Sequence, residues 1–238
     1  MKVKIIGTGS LGNCYVVEDS KGRCLMLECG VAYTKLLTSP HWCGIDKIDA
    51  LLVTHKHKDH SLELPTFRKL IDTIIDGSQS DLQSDYDLDN WYIVPVRVFH
   101  NVQCHGYYIM SKNDYNSLVF FTDMKAPKAT PPCVAKCRNW LYEVNYDEVT
   151  AREAIETAKD DHLWFNLQYH NSLEEADKYF KFITKYQGRK VDKIVTIHAS
   201  KDYLDENFVV PTLSNYAHEV VVGKDGNVYN FGGEVRNG

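Results

Sequence analysis

One stretch, Thr54-His55-Lys56-His57-Lys58-Asp59-His60, constrains this chain more than any other. Three imidazoles and a carboxylate within so short a run suit zinc or manganese. The residues before it, Ile48-Asp49-Ala50-Leu51-Leu52-Val53, read as a buried strand, so the ligands begin where that strand ends. His55 and His57, two apart on extended backbone, point to one side, while Asp59 and His60 fall on the turn and serve a neighbouring position. The spacing therefore predicts two adjoining metal centres; a solvated Lys/His-rich loop is the reading it argues against. Beyond it, Leu62 to Ile75 is expected to be an amphipathic helix, with Leu62, Phe67, Leu70, Ile71 and Ile74 on its apolar side.

The rest of the chain sets the frame for that site. Its 238 residues suit one domain over 1–238 with an ample core. No apolar run approaches a membrane span, and Met1-Lys2-Val3-Lys4-Ile5-Ile6 is too short and too alternating for a signal peptide, so a cytoplasmic protein without membrane partners is expected. Seven cysteines without framework spacing fit a reducing compartment, and Cys133/Cys137 lack a second ligand pair. A net charge of −5 gives no global attraction to nucleic acid, so such a substrate needs a local basic patch. Two candidates exist: Lys56 and Lys58 in the histidine stretch, and a group made of Lys178, Lys181, Lys185, Arg189, Lys190 and Lys193, which reads equally as solvated surface.

Gly7-Thr8-Gly9-Ser10-Leu11-Gly12 follows a strand and matches the dinucleotide fingerprint, with Glu28 near the ribose-binding distance. The helix that motif requires is missing. Asn13 to Glu18 is β-branched and aromatic, Asp19-Ser20-Lys21-Gly22 is turn chemistry, and Arg23 to Glu28 is a second strand, which makes a hairpin. No nucleotide cofactor is expected there. Residues 31 to 47 read as a short helix and loop, and 76 to 90 as a long loop. Strands are expected over Trp91 to Val98, Ser117 to Thr122, Trp140 to Tyr146 and Lys193 to His198, with an irregular link from Ala126 to Cys137 and helical character from Asp147 to Lys159. Ser172 and Glu175 have capping-box spacing at a helix start. Val220 to Val222 and Val228 to Phe231 are expected to form a hairpin completing the second of two sheets. Taken alone, His100 is more simply structural, and Asp123 after Thr122 equally caps a turn. Glu143 in an apolar strand demands a partner.

His55-x-His57-x-Asp59-His60 resembles the signature of the metallo-β-lactamase superfamily, and the order of the later motifs is most similar to its compact YycJ/WalJ-like nuclease and phosphodiesterase branch. The Gly-rich turn running into Gly12-Asn13, Cys29-Gly30 at a strand end, His100 before Gly106-Tyr107, Thr122-Asp123, and His198-Ala199-Ser200 match that branch in order, with Glu28, Asn101 and Ala199 as departures. The resemblance implies an α/β fold: a four-layer αββα sandwich of two mixed sheets with helices outside. It implies two divalent metal ions, zinc or manganese. His55, His57 and His100 would hold one, Asp59, His60 and His198 the other, and Asp123 would bridge, with a hydroxide between them as nucleophile. Glu143 and His170 resemble the acid–histidine pair of the tRNA 3′-processing endonucleases, which makes Asp59, Glu143 and His170 the candidate catalytic residues. The activity implied is hydrolysis, first as a phosphodiesterase or nuclease acting on DNA, RNA or another phosphodiester. A carbonyl hydrolase for a lactone, lactam or thioester, and a non-catalytic metal-binding protein, are the alternatives.

Overall fold

The computed structural model describes residues 1–157 and 161–232, with the backbone alone at 157, 161 and 162. Strands β1 (Lys2–Gly7), β2 (Cys14–Glu18) and β3 (Cys24–Leu27) run antiparallel in sequence. The β2–β3 hairpin predicted from turn chemistry is closed by Asp19, whose Oδ1 accepts from the backbone N–H groups of Lys21 and Arg23 at 2.8 and 2.9 Å. After α1 (Tyr33–Leu37) and a 3₁₀ turn at Ile45–Lys47, β4 (Ile48–Val53) pairs parallel with β3.

The single helix expected over 62–75 does not form. Two short helical segments, α2 (Lys58–Ser61) and α3 (Leu64–Phe67), are followed by β5 (Ile74–Asp76), which extends the sheet parallel to β4. Pro65 opens α3 and has no N–H with which to continue a helix from α2. Thr73-Ile74-Ile75 is a β-branched run whose stiff side chains suit the strand it joins. The long loop expected from 76 to 90 is interrupted by β6 (Tyr86–Asp87), which pairs with β7 (Trp91–Arg97). Antiparallel β8 (His105–Ser111) and β9 (Ser117–Phe121) follow, and α4 (Pro132–Lys136) lies within the link expected to be irregular. Next come β10 (Asn139–Glu143), α5 (Glu148–Thr157), α6 (Asp161–Tyr169), α7 (Leu173–Gln187), β11 (Val191–Ile197), α8 (Glu206–Leu213), β12 (Ala217–Val222) and β13 (Val228–Asn230). The Ser172/Glu175 capping box opens α7 in both directions, and Gly188 at φ 68° ends it.

Two mixed sheets result, ordered β13-β1-β2-β3-β4-β5 and β12-β11-β10-β9-β8-β7-β6. The expected terminal hairpin is absent. β12 lies parallel to β11 in the second sheet, while β13 crosses to pair with β1 in the first. The turn between them is captured by β1: the Ile5 N–H donates to Asn227 O and the Gly226 N–H to Ile5 O, both at 2.9 Å.

Side-chain alternation explains the layers. In β9, Leu118 and Phe120 face the first sheet, where they meet Tyr15, Leu25, Leu27 and Leu52; Val119 and Phe121 face the other way, onto the layer of α4, α7 and α8. In β3, Leu25 and Leu27 point between the sheets, while Cys24 and Met26 pack beneath Leu36 of α1 and Phe67 of α3. Three stacked cores, one between the sheets and one under each helical layer, make the αββα sandwich the resemblance implied. Since β3-β4-β5 and β9-β10-β11-β12 are each parallel runs, their carboxyl ends gather along common edges.

Candidate metal centre

Four candidate ligands sit one to three residues beyond a strand end, and His57, Asp59 and His60 continue the loop after β4. His55 follows β4, His100 follows β7, Asp123 follows β9, and His198 follows β11 directly. Three residues at these ends adopt left-handed backbone rare for side-chain-bearing residues: Glu28 at φ 63°, Asp123 at 46° and His198 at 56°. The reversed backbone turns all three carboxylate or imidazole groups into one region.

Within it three groups of donors share Asp123: the two predicted ligand sets, and a third made of Asp123, Glu143, His170 and His198. His55 Nε2 and His57 Nδ1 lie 2.9 Å apart, and His100 Nε2 lies 3.3 Å from the same His57 nitrogen. His60 Nε2 is 3.2 Å from Asp59 Oδ2, and His198 Nε2 is 3.7 Å from it. Asp123 belongs to both predicted sets: its Oδ2 faces His55 at 3.8 Å, and its Oδ1 faces His60 at 3.2 Å and His198 at 3.3 Å. The structure thus brings together all seven residues predicted as ligands, in the two groupings predicted.

The donor set fits a divalent cation on two grounds. His198 Nε2 is buried without a hydrogen-bond partner although it points among carboxylate oxygens. In addition, the outward nitrogens of His55, His100 and His198 are tied to the protein, the arrangement that fixes a ligating imidazole's tautomer, while that of His60 is buried without a hydrogen-bond partner. His55 Nδ1 meets Thr54 Oγ1 at 2.9 Å, His60 Nδ1 faces Glu28 at 3.5 Å, His100 Nδ1 meets the Tyr169 carbonyl at 3.3 Å, and His198 Nδ1 faces Glu143 at 3.3 Å. Burial lowers the pKa of His55, His57 and His100, which leaves these imidazoles neutral. Burial works against charge at His60 and His198 too, yet Asp123 with Glu28 raises the first well above its ordinary value, and Asp123 with Asp59 and Glu143 raises the second to about 10. Carboxylates that hold protons there would equally hold a cation.

Glu143 and His170 meet as predicted. His170 Nδ1 lies 2.6 Å from Glu143 Oε1, both buried. Glu143 Oε2 accepts from the Met124 N–H at 2.8 Å, so its carboxylate is also pinned to the turn that carries Asp123. Burial pushes the Glu143 pKa up, but the facing His170 prevails and holds it below the usual carboxylate value. The His170 ring stacks on His198 at 5.4 Å between centroids, with planes 8° apart.

The Gly-rich turn packs against this centre. A Cβ on Gly30 would lie 1.6 Å from the Asp59 carbonyl, and one on Gly12 would lie 2.5 Å from the Gly30 carbonyl, so turn, strand end and histidine loop pack backbone on backbone. Glu28 makes the contact that holds the loop, accepting from the Thr54 N–H at 3.2 Å. Asn13, Asn145 and Thr8 carried no predicted role. The Asn13 N–H donates to Asp59 O at 2.7 Å and its Nδ2 lies 3.1 Å from His60 Nε2; Asn145 Nδ2 donates to His198 O at 2.9 Å; Thr8 Oγ1 accepts from the His198 N–H at 3.0 Å. Only Gly12-Asn13, already notable as a motif, left a signal for them in the sequence.

Several other expectations resolve away from the centre. His105 begins β8, with Nδ1 2.7 Å from the Gly77 carbonyl. Lys185, Arg189, Lys190 and Lys193 lie at the end of α7 and the start of β11, roughly 20 Å of strand from His198 at β11's other end. Those four form no phosphate-binding face at the site, Lys178 and Lys181 lie within α7, and Lys56 and Lys58 are the lysines of the histidine loop itself. No helix among the described residues is long and apolar enough to cross a membrane.

Comparison with known proteins agrees with this geometry. The family model "Metallo-beta-lactamase superfamily" matches residues 7–93. The chain is similar to YhfI, a metallo-beta-lactamase fold protein from Bacillus subtilis, at 17% identity and a TM-score of 0.67 over 96% of this chain and 98% of that one. It is similar to human tRNase Z, short form, at 16% identity and a TM-score of 0.65 over 98% and 100%. Cleavage and polyadenylation specificity factor subunit 3 of Dictyostelium discoideum is 38% identical over 74 residues, 28% of this chain and 10% of that protein. The chain thus spans about a tenth of the length of the curated relatives it matches. Residues 7–93 thus match the metallo-beta-lactamase superfamily model, and the whole chain shares the fold of these solved structures.

Proposed function

We propose that this metallo-beta-lactamase-fold chain is a metal-dependent phosphodiesterase that hydrolyses nucleic acid, with His170 as the acid that protonates the leaving oxygen. The observation that carries the reading is the buried 2.6 Å contact between Glu143 and His170, set against the ring of a candidate metal ligand, His198. Two sites are proposed, one from His55, His57 and His100, the other from Asp59, His60 and His198, with Asp123 shared. Divalent cations bound there would supply Lewis-acid charge and lower the pKa of water toward neutrality.

The chain's own residues do the rest. Glu143 Oε1 accepts from the His170 Nδ1–H, which leaves Nε2 as the nitrogen that takes up and delivers the proton. The His170 N–H donates to Asn166 O at 2.9 Å, and Asn171 Nδ2 donates to the Glu143 carbonyl at 3.0 Å, so both members are held by backbone on each side. A nucleotide alkoxide needs that proton to leave. The names of two similar proteins, tRNase Z and a cleavage and polyadenylation specificity factor subunit, point the same way on substrate. The test is metal content by elemental analysis together with nitrophenol release from bis-p-nitrophenyl phosphate and turnover of a lactone panel. Metal-bearing protein that cleaves the phosphodiester and spares the lactones is expected. Lactone turnover without phosphodiester cleavage would overturn the proposal.

A further inference from the structure

A group of exposed rings at the mouth of the site has no part in the chemistry above. Phe99, the residue before His100, is 47% exposed, and Phe165 on α6 is 37% exposed. Tyr169 lies between them, 6.4 Å from Phe99 with planes 20° apart and 4.9 Å from Phe165. This row is continuous with the centre: Tyr169 contacts the His100 ring at 6.0 Å, and Phe165 contacts the His170 ring at 6.1 Å. Helix α6 anchors itself through Leu163 and Leu167, which leaves Phe165 outside the core. Phe99 is equally unneeded for packing, yet its backbone is fixed at both atoms, its N–H donating to Ala126 O and its carbonyl accepting from the Lys125 N–H.

We propose that Phe99, Tyr169 and Phe165 form a stacking platform for unpaired bases, so that the ligand of this site is a single-stranded nucleic acid. The proposal rests on the phosphodiesterase reading for what enters the histidine cluster. A duplex keeps its base faces stacked on one another, and only an unpaired base can lie on a protein ring. Charge supports the same occupant. The net charge is −5, and Lys56 and Lys58 are the exposed lysines of the histidine loop, neither in an ion pair among the described residues. With Lys56 and Lys58 as the phosphate contacts, the slope of log K against log salt should be shallow, about −1.4 for two phosphates on a single strand.

The test is fluorescence anisotropy with zinc-loaded protein and two hydrolysis-resistant phosphorothioate octamers, one of deoxyadenosine and one abasic. The base-bearing octamer should bind about 5- to 150-fold more tightly, the range that base–aromatic stacking gives at tenfold per ~1.4 kcal/mol. Phe99→Ala/Phe165→Ala should remove that difference. Phe165→Trp should keep it, whereas Phe165→Leu, equally apolar, should lose part of it. Equal affinity of wild-type protein for both octamers would overturn the platform even if phosphodiesters are cleaved, as would a double variant that still prefers bases. A base preference lost in the double variant, found in protein that cleaves no phosphodiester, would instead keep the platform and overturn the catalytic reading.

Discussion

Replacing His170 by Ala separates proton donation from every other role the residue might have. The imidazole is buried, 2.6 Å from Glu143 and stacked on His198; it is not among the seven predicted ligands, although with Asp123, Glu143 and His198 it forms a third donor group, which makes metal content part of the assay. Its removal leaves Glu143 Oε1 facing His198 Nδ1 at 3.3 Å and Oε2 on the Met124 N–H, so the carboxylate keeps partners and the centre its shape. General acid catalysis is worth about 10²- to 10⁴-fold, or ~2.7–5.4 kcal/mol of barrier at 1.36 kcal/mol per decade. A nucleotide alkoxide leaves poorly and should show that full loss. p-Nitrophenolate leaves readily and should show far less. The assay is paired: kcat/KM on a single-stranded oligonucleotide and on bis-p-nitrophenyl phosphate, with zinc measured on the same preparations. Equal losses on the two substrates, or zinc departing with the imidazole, would refute the reasoning and make His170 a positioning or ligating residue.

Other perturbations probe the remaining parts of the site. Fully loaded protein should hold two transition-metal ions per chain by elemental analysis, and Asp123→Ala, which removes the acid common to both predicted ligand sets, should lose both metal and hydrolysis. Gly30→Ala would set a Cβ 1.6 Å from the Asp59 carbonyl, so the histidine loop must move; thermal unfolding should show destabilisation of at least ~1–3 kcal/mol together with weaker zinc binding. Because nearby carboxylates raise the pKa of His60 and of His198, metal uptake near neutral pH should displace protons from both; affinity should then rise with pH, and calorimetry in buffers of different ionisation heat should register proton release. NAD and FAD should not bind at the Gly-rich turn, and calorimetric binding abolished by Gly9→Val would contradict the packing found there.

The sequence by itself marked the candidate ligands of the histidine loop and most of the strands. His55, His57, Asp59 and His60 are legible because their geometry is local: a strand's two-residue period and one following turn fix which side chains share a side. The missing helix after Gly12 was legible for the same reason, since Asp19 and Gly22 impose a hairpin whatever packs on it. Glu143 and His170 came through a resemblance, because 27 residues separate the partners and no local rule joins them. Tertiary structure alone decided the rest. The 62–75 segment had helical spacing, yet Pro65 and the β-branched run at Thr73 to Ile75 gave it to two short helices and a strand beside β4. β12 and β13 read as one hairpin, but whether consecutive strands pair with each other depends on which sheet edge is open, and β1 offered one. The lysines of α7 and β11 are close in sequence to His198 and far from it in space, because a strand is straight. The left-handed turns at Glu28, Asp123 and His198, and the close approach of Gly30 to Asp59, arise only once distant strand ends have been brought to one edge. Such contacts depend on backbone shape that residue types do not encode locally.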